Sequence, residues 1–512
     1  MSDIATIKVL DEINIAVIGL KVKEYEHFYN KFGYYDNGYV FKPSYKLGRW
    51  DGKIRLFTKA GKTSIHFIDQ IIPDLKAFGY KIRLVDNRNP VTFDLPNIQA
   101  DHFKERYGIE LGDHQVECIN SLIDNRGGIA IAATGAGKSY VLGALFNLLH
   151  EHMGLRCLAI VPSLDLVTQT AEQIRLFGND VGMYNANRKE LSKTHLVSTW
   201  QSLQNNPAII GNYHAIIVDE AHGVKSNVLK NMLMEHGRHA VFIAGVTGTL
   251  PKHEADIKQI NYVLGEPVVK VEGKQLIDLG WLAKLKIRTI TLKEDFREVW
   301  EQYKLSNPEE AAKYTYKTFK ASYFPDFTSE RNWIKTNKMR NIFLSHLIQK
   351  ATKATGNSFV LVNGVDFGKR LSKVIPNSIF VHGADDSAVR KQIYDLYKTN
   401  DDVIVIATFQ LASTGLNIKR IFNLFLIDPG KSFIQIIQSI GRGLRKAEDK
   451  ESVSVWDISS DLKYSKKHSA QRKKYYKEQN YPFKEEVIEY QYIVEDIING
   501  KDVDSVDEFV VY

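Results

Sequence analysis

Cysteine is nearly absent: 512 residues carry two, Cys118 and Cys157. They form no CxxC pair and sit among apolar neighbours. A disulfide framework and a thiolate zinc site are therefore not expected, and both cysteines read as small core residues in a reducing compartment. Long apolar runs are absent too. The first, Ile13 to Leu20, falls well short of the roughly 20 residues that cross a bilayer, and acids rather than bases precede it. Neither a membrane span nor a secretory leader is expected, which leaves a soluble, cytoplasmic chain. No short-period repeat and no low-complexity tract occur, which sets solenoid architectures aside.

What is present is an ordinary globular composition, 44% hydrophobic and 25% charged. It suffices for about three domains at roughly 150 residues each. The formal charge of +8 favours a polyanionic partner, but only mildly, because many basic proteins bind no nucleic acid.

Residues 1–95 alternate in short strands around an amphipathic helix near Val22 to Phe32. They suggest a small α+β domain that ends in a Pro/Asn/Asp-rich linker, Asp86 to Pro96. The texture then changes. Short apolar runs alternate with helical stretches at Ile129–Ala133, Cys157–Val161, Ala215–Val218 and Val241–Ala244. They return at Ser358–Val362, Ser378–Val381, Val403–Ala407, Leu424–Ile427 and Ser452–Trp456. Such runs suit strands buried on both faces, as in a parallel sheet covered by helices. The expectation is an α/β protein with two such units, 96–278 and 356–460, joined by a mostly helical connector, 279–355. A C-terminal segment, 461–512, should pack on the second unit. Lys463 to Lys477 carries seven Lys/Arg and no acid, and the residues from Glu485 onward are acidic. Each block reads equally as a solvated helix face or a binding surface, the acidic one for a protein partner.

One loop carries specific chemistry. Ala133-Thr134-Gly135-Ala136-Gly137-Lys138-Ser139 follows an apolar strand and precedes the helical run Tyr140 to His150. Small residues let the backbone wrap a triphosphate, so that N–H groups and a helix N-terminus face the anion. Lys138 should reach the β- and γ-phosphates, and the Ser139 hydroxyl should ligate Mg²⁺. The usual pattern opens with glycine where this chain has Ala132, a departure tolerated if no positive φ is needed there. Further on, the apolar strand Ala215–Val218 runs into Asp219-Glu220-Ala221-His222. Adjacent acids at the C-terminal edge of such a sheet lie where ligands bind. Asp219 is expected to hold the Mg²⁺ shell, and Glu220 to orient the attacking water. Together the two motifs point to nucleoside triphosphate hydrolysis.

From Gly112 to Trp456 the chain resembles the superfamily 2 helicases, which implies two RecA-like parallel-sheet lobes. Gln115 resembles the glutamine that reads adenine, although an exposed capping residue would look the same. Pro162-Ser163 and Thr199-Trp200-Gln201 resemble strand-end contacts to the nucleic-acid backbone. Thr247-Gly248-Thr249 resembles the motif that, with His222 and Gln438, couples the ATP site to the nucleic-acid path. In the second unit Asn363, His382-Gly383 and Thr408 resemble backbone contacts, and Gly415 and Asn417 nucleotide contacts. Gln438-Ser439-Ile440-Gly441-Arg442-Gly443-Leu444-Arg445 resembles the arginine motif. Two arginines three apart share a helix face, and the resemblance implies that Arg442 and Arg445 approach the γ-phosphate.

The resemblance narrows to phage helicases of the UvsW type, through Tyr39 to Leu56, Glu330-Arg331-Asn332 and Val455-Trp456-Asp457. It implies unwinding and remodelling of branched DNA in recombination, repair and replication, in the host cytoplasm, with ATP and Mg²⁺ as cofactors. Lys46, Arg49 and Lys53 would bind phosphates, and Trp50 would stack on bases. The alternative is that the ring is core and the lysines are merely solvated. Two other functions fit the motifs: an RNA helicase of the DEAH type, and a duplex translocase that does not separate strands.

Overall fold

Alternation in the first residues builds a mixed sheet. Ile4–Val9 pairs antiparallel with Asn14–Ile18 and parallel with Lys81–Asp86, and Lys62–Ser64 lies outside Asn14–Ile18. Ala5, Ile7 and Val9 are buried while their neighbours are not, the period of two that a one-sided strand requires. Residues of the helices Val22–Lys31 and Ile68–Ala77 complete that core. Phe32 stacks on Phe67 at 5.0 Å and Phe28 meets Phe57 at 5.3 Å. Each ring so buried contributes about 1.5–3 kcal/mol. A separate hairpin, Gly33–Tyr35 with Lys53–Arg55, brackets the aromatic, basic stretch between its strands. The computed structural model describes residues 3–88, 91–383, 385, 387–412, 418, 420–445, 447 and 449–500. It divides into two units, Met1–Glu272 and Gly273–Tyr512.

The rest of the first unit is a seven-stranded, all-parallel sheet. Its strand order is Pro267–Val271, Gly127–Ala132, Phe242–Thr247, Ala215–Asp219, Cys157–Val161, His195–Thr199 and Val181–Tyr184. The central strands are buried along their length, as the apolar runs require. Two strand ends carry functional motifs: Gly127–Ala132 feeds the phosphate loop, and Ala215–Asp219 ends on its neighbour but one.

The second unit is another seven-stranded parallel sheet, ordered Ser378–Val381, Ile404–Thr408, Ser358–Val362, Asn423–Ile427, Ser452–Ser460, Lys284–Leu292 and Phe483–Ile488. The segment expected as a connector, 279–355, differs here. Lys284–Leu292 pairs on both sides within this sheet, and the helix Lys338–Thr355 buries Phe343, Leu344, Leu347 and Ile348 in its core. The strand is concealed in the sequence because buried positions hold polar residues. The Arg288 guanidinium lies over the Trp456 ring at 5.0 Å, and the Thr289 hydroxyl donates to the Lys484 carbonyl.

The basic segment after Asp461 is the helix Lys463–Glu478, held by buried charge. Arg472 forks onto Asp457 at 2.7 and 2.9 Å, and the Tyr476 hydroxyl donates to the same carboxylate. The Glu330 carboxylate accepts from the Tyr464 and Ser465 amides and so caps the helix N-terminus. Glu485, at the acidic edge strand, pairs with Lys473. Among the described residues no helix is long and apolar enough to cross a membrane.

Candidate nucleotide and nucleic-acid sites

The phosphate loop turns on two glycines in the left-handed region, Gly135 at φ 93° and Gly137 at φ 80°. Gly137 also lies close beneath a neighbouring side chain. A Cβ there would lie 2.1 Å from the Gln115 side-chain amide. Ala132 has no positive φ, so its methyl in place of glycine is accommodated. The helix Lys138–Met153 starts directly behind the loop. Lys138 Nζ donates to the Ala132 carbonyl at 3.3 Å, a weak hold that a phosphate can displace. Gln115 is buried rather than exposed: its amide donates to Ala136 O, and its own oxygen accepts from Gly112 N. His114 also reaches Ala136 O at 3.0 Å.

At the end of the strand Ala215–Asp219, burial and the adjacent Glu220 push the Asp219 carboxyl up to about 6, with Lys138 opposing. Glu220 sits at φ 51°, a strained conformation for a residue with a side chain. Its carboxylate accepts from the Thr247 hydroxyl at 3.3 Å and lies 3.3 Å from His222 Nδ1. His222 Nδ1 and Thr247 Oγ1 are themselves 3.2 Å apart. Gly248 lies against the phosphate loop, where a Cβ would come within 3.0 Å of Thr134 Oγ1 and 3.6 Å of Lys138 Nζ. The motifs around Lys138, Glu220 and Thr247 thus form one contiguous cluster. It suits a magnesium nucleotide. The Thr134 hydroxyl is buried without a hydrogen-bond partner, and the available donors are hard oxygens.

A groove of about 540 Å³ on the first unit is lined by Ser163, Thr199 and Gln201, and also by Tyr184, Asn185 and Lys189. Three of the expected backbone contacts therefore share a surface. Thr199 is mostly committed, because its hydroxyl caps the helix Trp200–Gln204. Trp200 is half-buried against the core, and Pro162 follows the strand Cys157–Val161 directly. Lys189 was not singled out from the sequence. The signal was a polar turn, Asn185 to Arg188, bridged by Tyr184 and Lys189.

In the second unit the Asn363 amide donates to the Asp428 carbonyl, and His382 N donates to Asp385. Gly383 is exposed beside it, whereas Thr408 is buried, its hydroxyl accepting from Leu411 N. Gln438 is buried in the helix Phe433–Gly443, which also carries Arg442, whose side chain lies outside the described residues; the helix ends before Arg445, so the two arginines do not share the helix face expected of them. Gly415 and Asn417 lie outside the described residues altogether. Just beyond that helix, buried Lys450 donates to the carbonyls of Gly443 and Arg445.

In the N-terminal domain Trp50 is half-buried and its indole N–H donates to Lys53 O at 2.9 Å. Lys46 and Arg49 are exposed.

Family models match three stretches: "DNA helicase UvsW, N-terminal" over residues 12–86, "Type III restriction enzyme, res subunit" over 108–252, and "Helicase conserved C-terminal domain" over 339–447. The ATP-dependent DNA helicase uvsW of Enterobacteria phage T4 is 26% identical over 466 residues, covering 87% of this chain and 88% of that one. The DNA 3'-5' translocase XPB2 of Sulfurisphaera tokodaii is 27% identical over 184 residues, 36% of this chain and 40% of that one. Among solved structures, a fragment of a putative HsdR subunit of a type I restriction enzyme from Vibrio vulnificus shares the fold. Its TM-score is 0.54 at 17% identity, over 77% of this chain and 72% of that one. The chain belongs to the superfamily 2 helicases. Within them it is an ATP-dependent DNA helicase of the UvsW type, by the N-terminal domain it carries ahead of the helicase domains.

Proposed function

We propose that this helicase remodels branched DNA, driving branch migration, fork regression and annealing in recombination, repair and replication. The observation that carries the reading is the pairing of a helicase core with a UvsW-type N-terminal domain whose basic, aromatic stretch is exposed. That domain gives a motor a second grip on DNA, which branch-point work requires and simple translocation does not. It also favours DNA over the RNA-helicase alternative.

The residues support the following chemistry. Loop amides and Lys138 bind the β- and γ-phosphates. Ser139 and Asp219 would hold Mg²⁺, which when bound offsets phosphate charge. Glu220 orients water for attack in line with the leaving oxygen. Arg442 and Arg445 of the second unit stabilise the charge that develops, an effect worth roughly 10³–10⁵ in rate in comparable NTPases. Gln115 secures the base, and Gly415 and Asn417 assist on the nucleotide. Pro162, Ser163, Thr199, Trp200 and Gln201 serve as strand contacts of the first unit, and Asn363, His382, Gly383 and Thr408 as those of the second. Loss of the γ-phosphate then alters the grip of the two units, and the strand advances. His222, Thr247, Gly248, Thr249 and Gln438 transmit that change. The acidic residues from Glu485 onward, of which 501–512 lie outside the described residues, would serve a protein partner.

The deciding experiment is unwinding of forks and four-way junctions by the full chain with ATP, with Lys138→Ala and Glu220→Gln as controls. DNA-stimulated ATPase and unwinding should both disappear in the two variants. A wild-type chain that hydrolyses ATP no faster with DNA would overturn the reading.

A further inference from the structure

Between the two strands of the N-terminal hairpin, residues 38–49 form a tight knob. Phe41 N donates to Gly38 O, Leu47 N to Pro43 O and Arg49 N to Ser44 O, all within 3.0 Å. Behind it, Tyr39 stacks on Tyr35 at 4.7 Å and meets Tyr45 edge-on at 4.8 Å. The knob is therefore rigid, yet it presents its apolar groups outward. Phe41 is 76% exposed and Leu47 64%. Scattered exposed apolar residues are ordinary, but two large ones on one hydrogen-bonded knob call for a partner.

The surroundings specify that partner. Asp36 pairs with Lys42, and Asp51 pairs with Arg55. Lys46 and Arg49, on either side of Leu47, are exposed and have no carboxylate partner among the described residues. An exposed apolar ring and exposed cations carried on one knob match a nucleic-acid strand, whose bases stack while its phosphates pair. Trp50 is poorly placed for that stacking. Its N–H is spent on Lys53 O, and the Lys42 ammonium covers its ring at 5.5 Å. Phe41 has no hydrogen-bonding group to read the edge of a paired base. Its ring offers a face for stacking on a base, and base faces are open without unstacking cost where strands part.

We infer that Phe41 and Leu47 receive the unpaired or terminal base at a DNA branch point, with Lys46 and Arg49 on the adjacent phosphates. This rests on the branched-DNA reading above and names the part of the branch that the N-terminal domain engages. The test uses the full chain, binding forked DNA and a fully paired duplex of equal length, with 2-aminopurine at the fork branch. Phe41→Ala should weaken fork binding about tenfold, change duplex binding far less, and abolish the emission change at the branch. Phe41→Trp should restore all three towards wild type. Lys46→Ala with Arg49→Ala should weaken both DNAs and flatten the salt dependence. Leu84→Ala, at a residue 60% exposed elsewhere on this domain, should behave as wild type. Fork affinity unchanged in Phe41→Ala, or fork and duplex weakened alike, overturns the inference. So does loss of a protein contact with DNA binding intact. If wild type itself fails to unwind forks, the broader reading falls; if wild type unwinds and Phe41→Ala matches it, only this inference does.

Discussion

The Thr247 hydroxyl shares its one proton between the Thr249 carbonyl at 2.9 Å and the Glu220 carboxylate at 3.3 Å, while lying 3.2 Å from His222 Nδ1. One hydroxyl thereby ties the water-orienting acid to the strand end that follows it. Thr247→Val keeps the shape and removes the tie. DNA-stimulated ATPase should fall about tenfold, the size expected for one charge-assisted hydrogen bond, and fork unwinding should fall further. The KM for ATP should stay near wild type. Parallel ATPase and strand-separation assays check this, and equal losses in both would mean that Thr247 serves chemistry alone.

Gly248 makes a different prediction, because its constraint is steric. A Cβ would press within 3.0 Å of Thr134 Oγ1 and within ordinary contact of Lys138 Nζ. The φ there is not in the left-handed region, so the backbone tolerates alanine. Gly248→Ala should raise the KM for ATP with little change in thermal stability. Nucleotide titration against an unfolding scan separates the two effects. A large stability loss with unchanged KM would contradict the prediction.

The contrast between Ser358–Val362 and Lys284–Leu292 shows what the sequence can reveal. The first is a pure apolar run, and its bounds were legible without coordinates. The second alternates lysine, arginine and threonine with aliphatics, and it is accommodated between two strands because Trp456 and the Lys484 carbonyl receive its polar groups. Those partners lie far along the chain, beyond any local pattern. The site divides in the same way. Gly-Lys-Ser and Asp-Glu-Ala-His carry their chemistry in adjacent residues, whereas burial of Gln115 on the Ala136 carbonyl and the choice between Trp50 and Phe41 depend on folding.

Asp457 and Arg472 form a buried fork that holds the basic helix Lys463–Glu478 to the second sheet. Removing one partner strands the other charge. Asp457→Ala should cost about 3–5 kcal/mol, a fall of about 10 °C in the Tm of a unit this size. The double variant Asp457→Leu with Arg472→Met should lose much less, because no lone charge remains. Calorimetry of the three chains decides it, and a double variant no better than the single one would count against the pair.

His195 gives the first unit a specific acid sensitivity. It is 1% exposed, accepts from Cys157 N through Nδ1 at 3.1 Å, and is held down to about 4, first by burial and then by His150. The unfolded chain binds its proton near 6.5. The folded value is the lower, so this stability is present above about 6.5 and is lost as pH falls towards 4. The full loss is about 3 kcal/mol, at 1.36 kcal/mol per unit. His66, also held to about 4 by burial, adds to the same window. His195→Gln keeps an acceptor for Cys157 N without a titrating ring, so its stability should fall less steeply between pH 6.5 and 4. Denaturant midpoints across that range measure the slope, and parallel curves for both chains would show that His195 is not responsible.

Lys450 tests whether the arginine motif depends on a residue outside it. Its side chain is 2% exposed and its ammonium donates to the carbonyls of Gly443 and Arg445, just past the helix Phe433–Gly443. A cation there satisfies carbonyls that the helix leaves open and complements its dipole. Burial and neighbouring Arg445 lower the ammonium to about 7, so the contact carries less charge as pH rises through that value. Lys450→Met fills the same space without donating. It should lower the kcat of DNA-stimulated ATPase about tenfold with a smaller effect on ATP affinity, because the phosphate loop belongs to the other unit. The wild-type rate should decline above pH 7, and Lys450→Met should flatten that decline. Lys450→Arg, which keeps the charge at all pH values, should flatten the profile while retaining more activity. A Lys450→Met enzyme with unchanged kcat would show that the arginines hold their geometry without it.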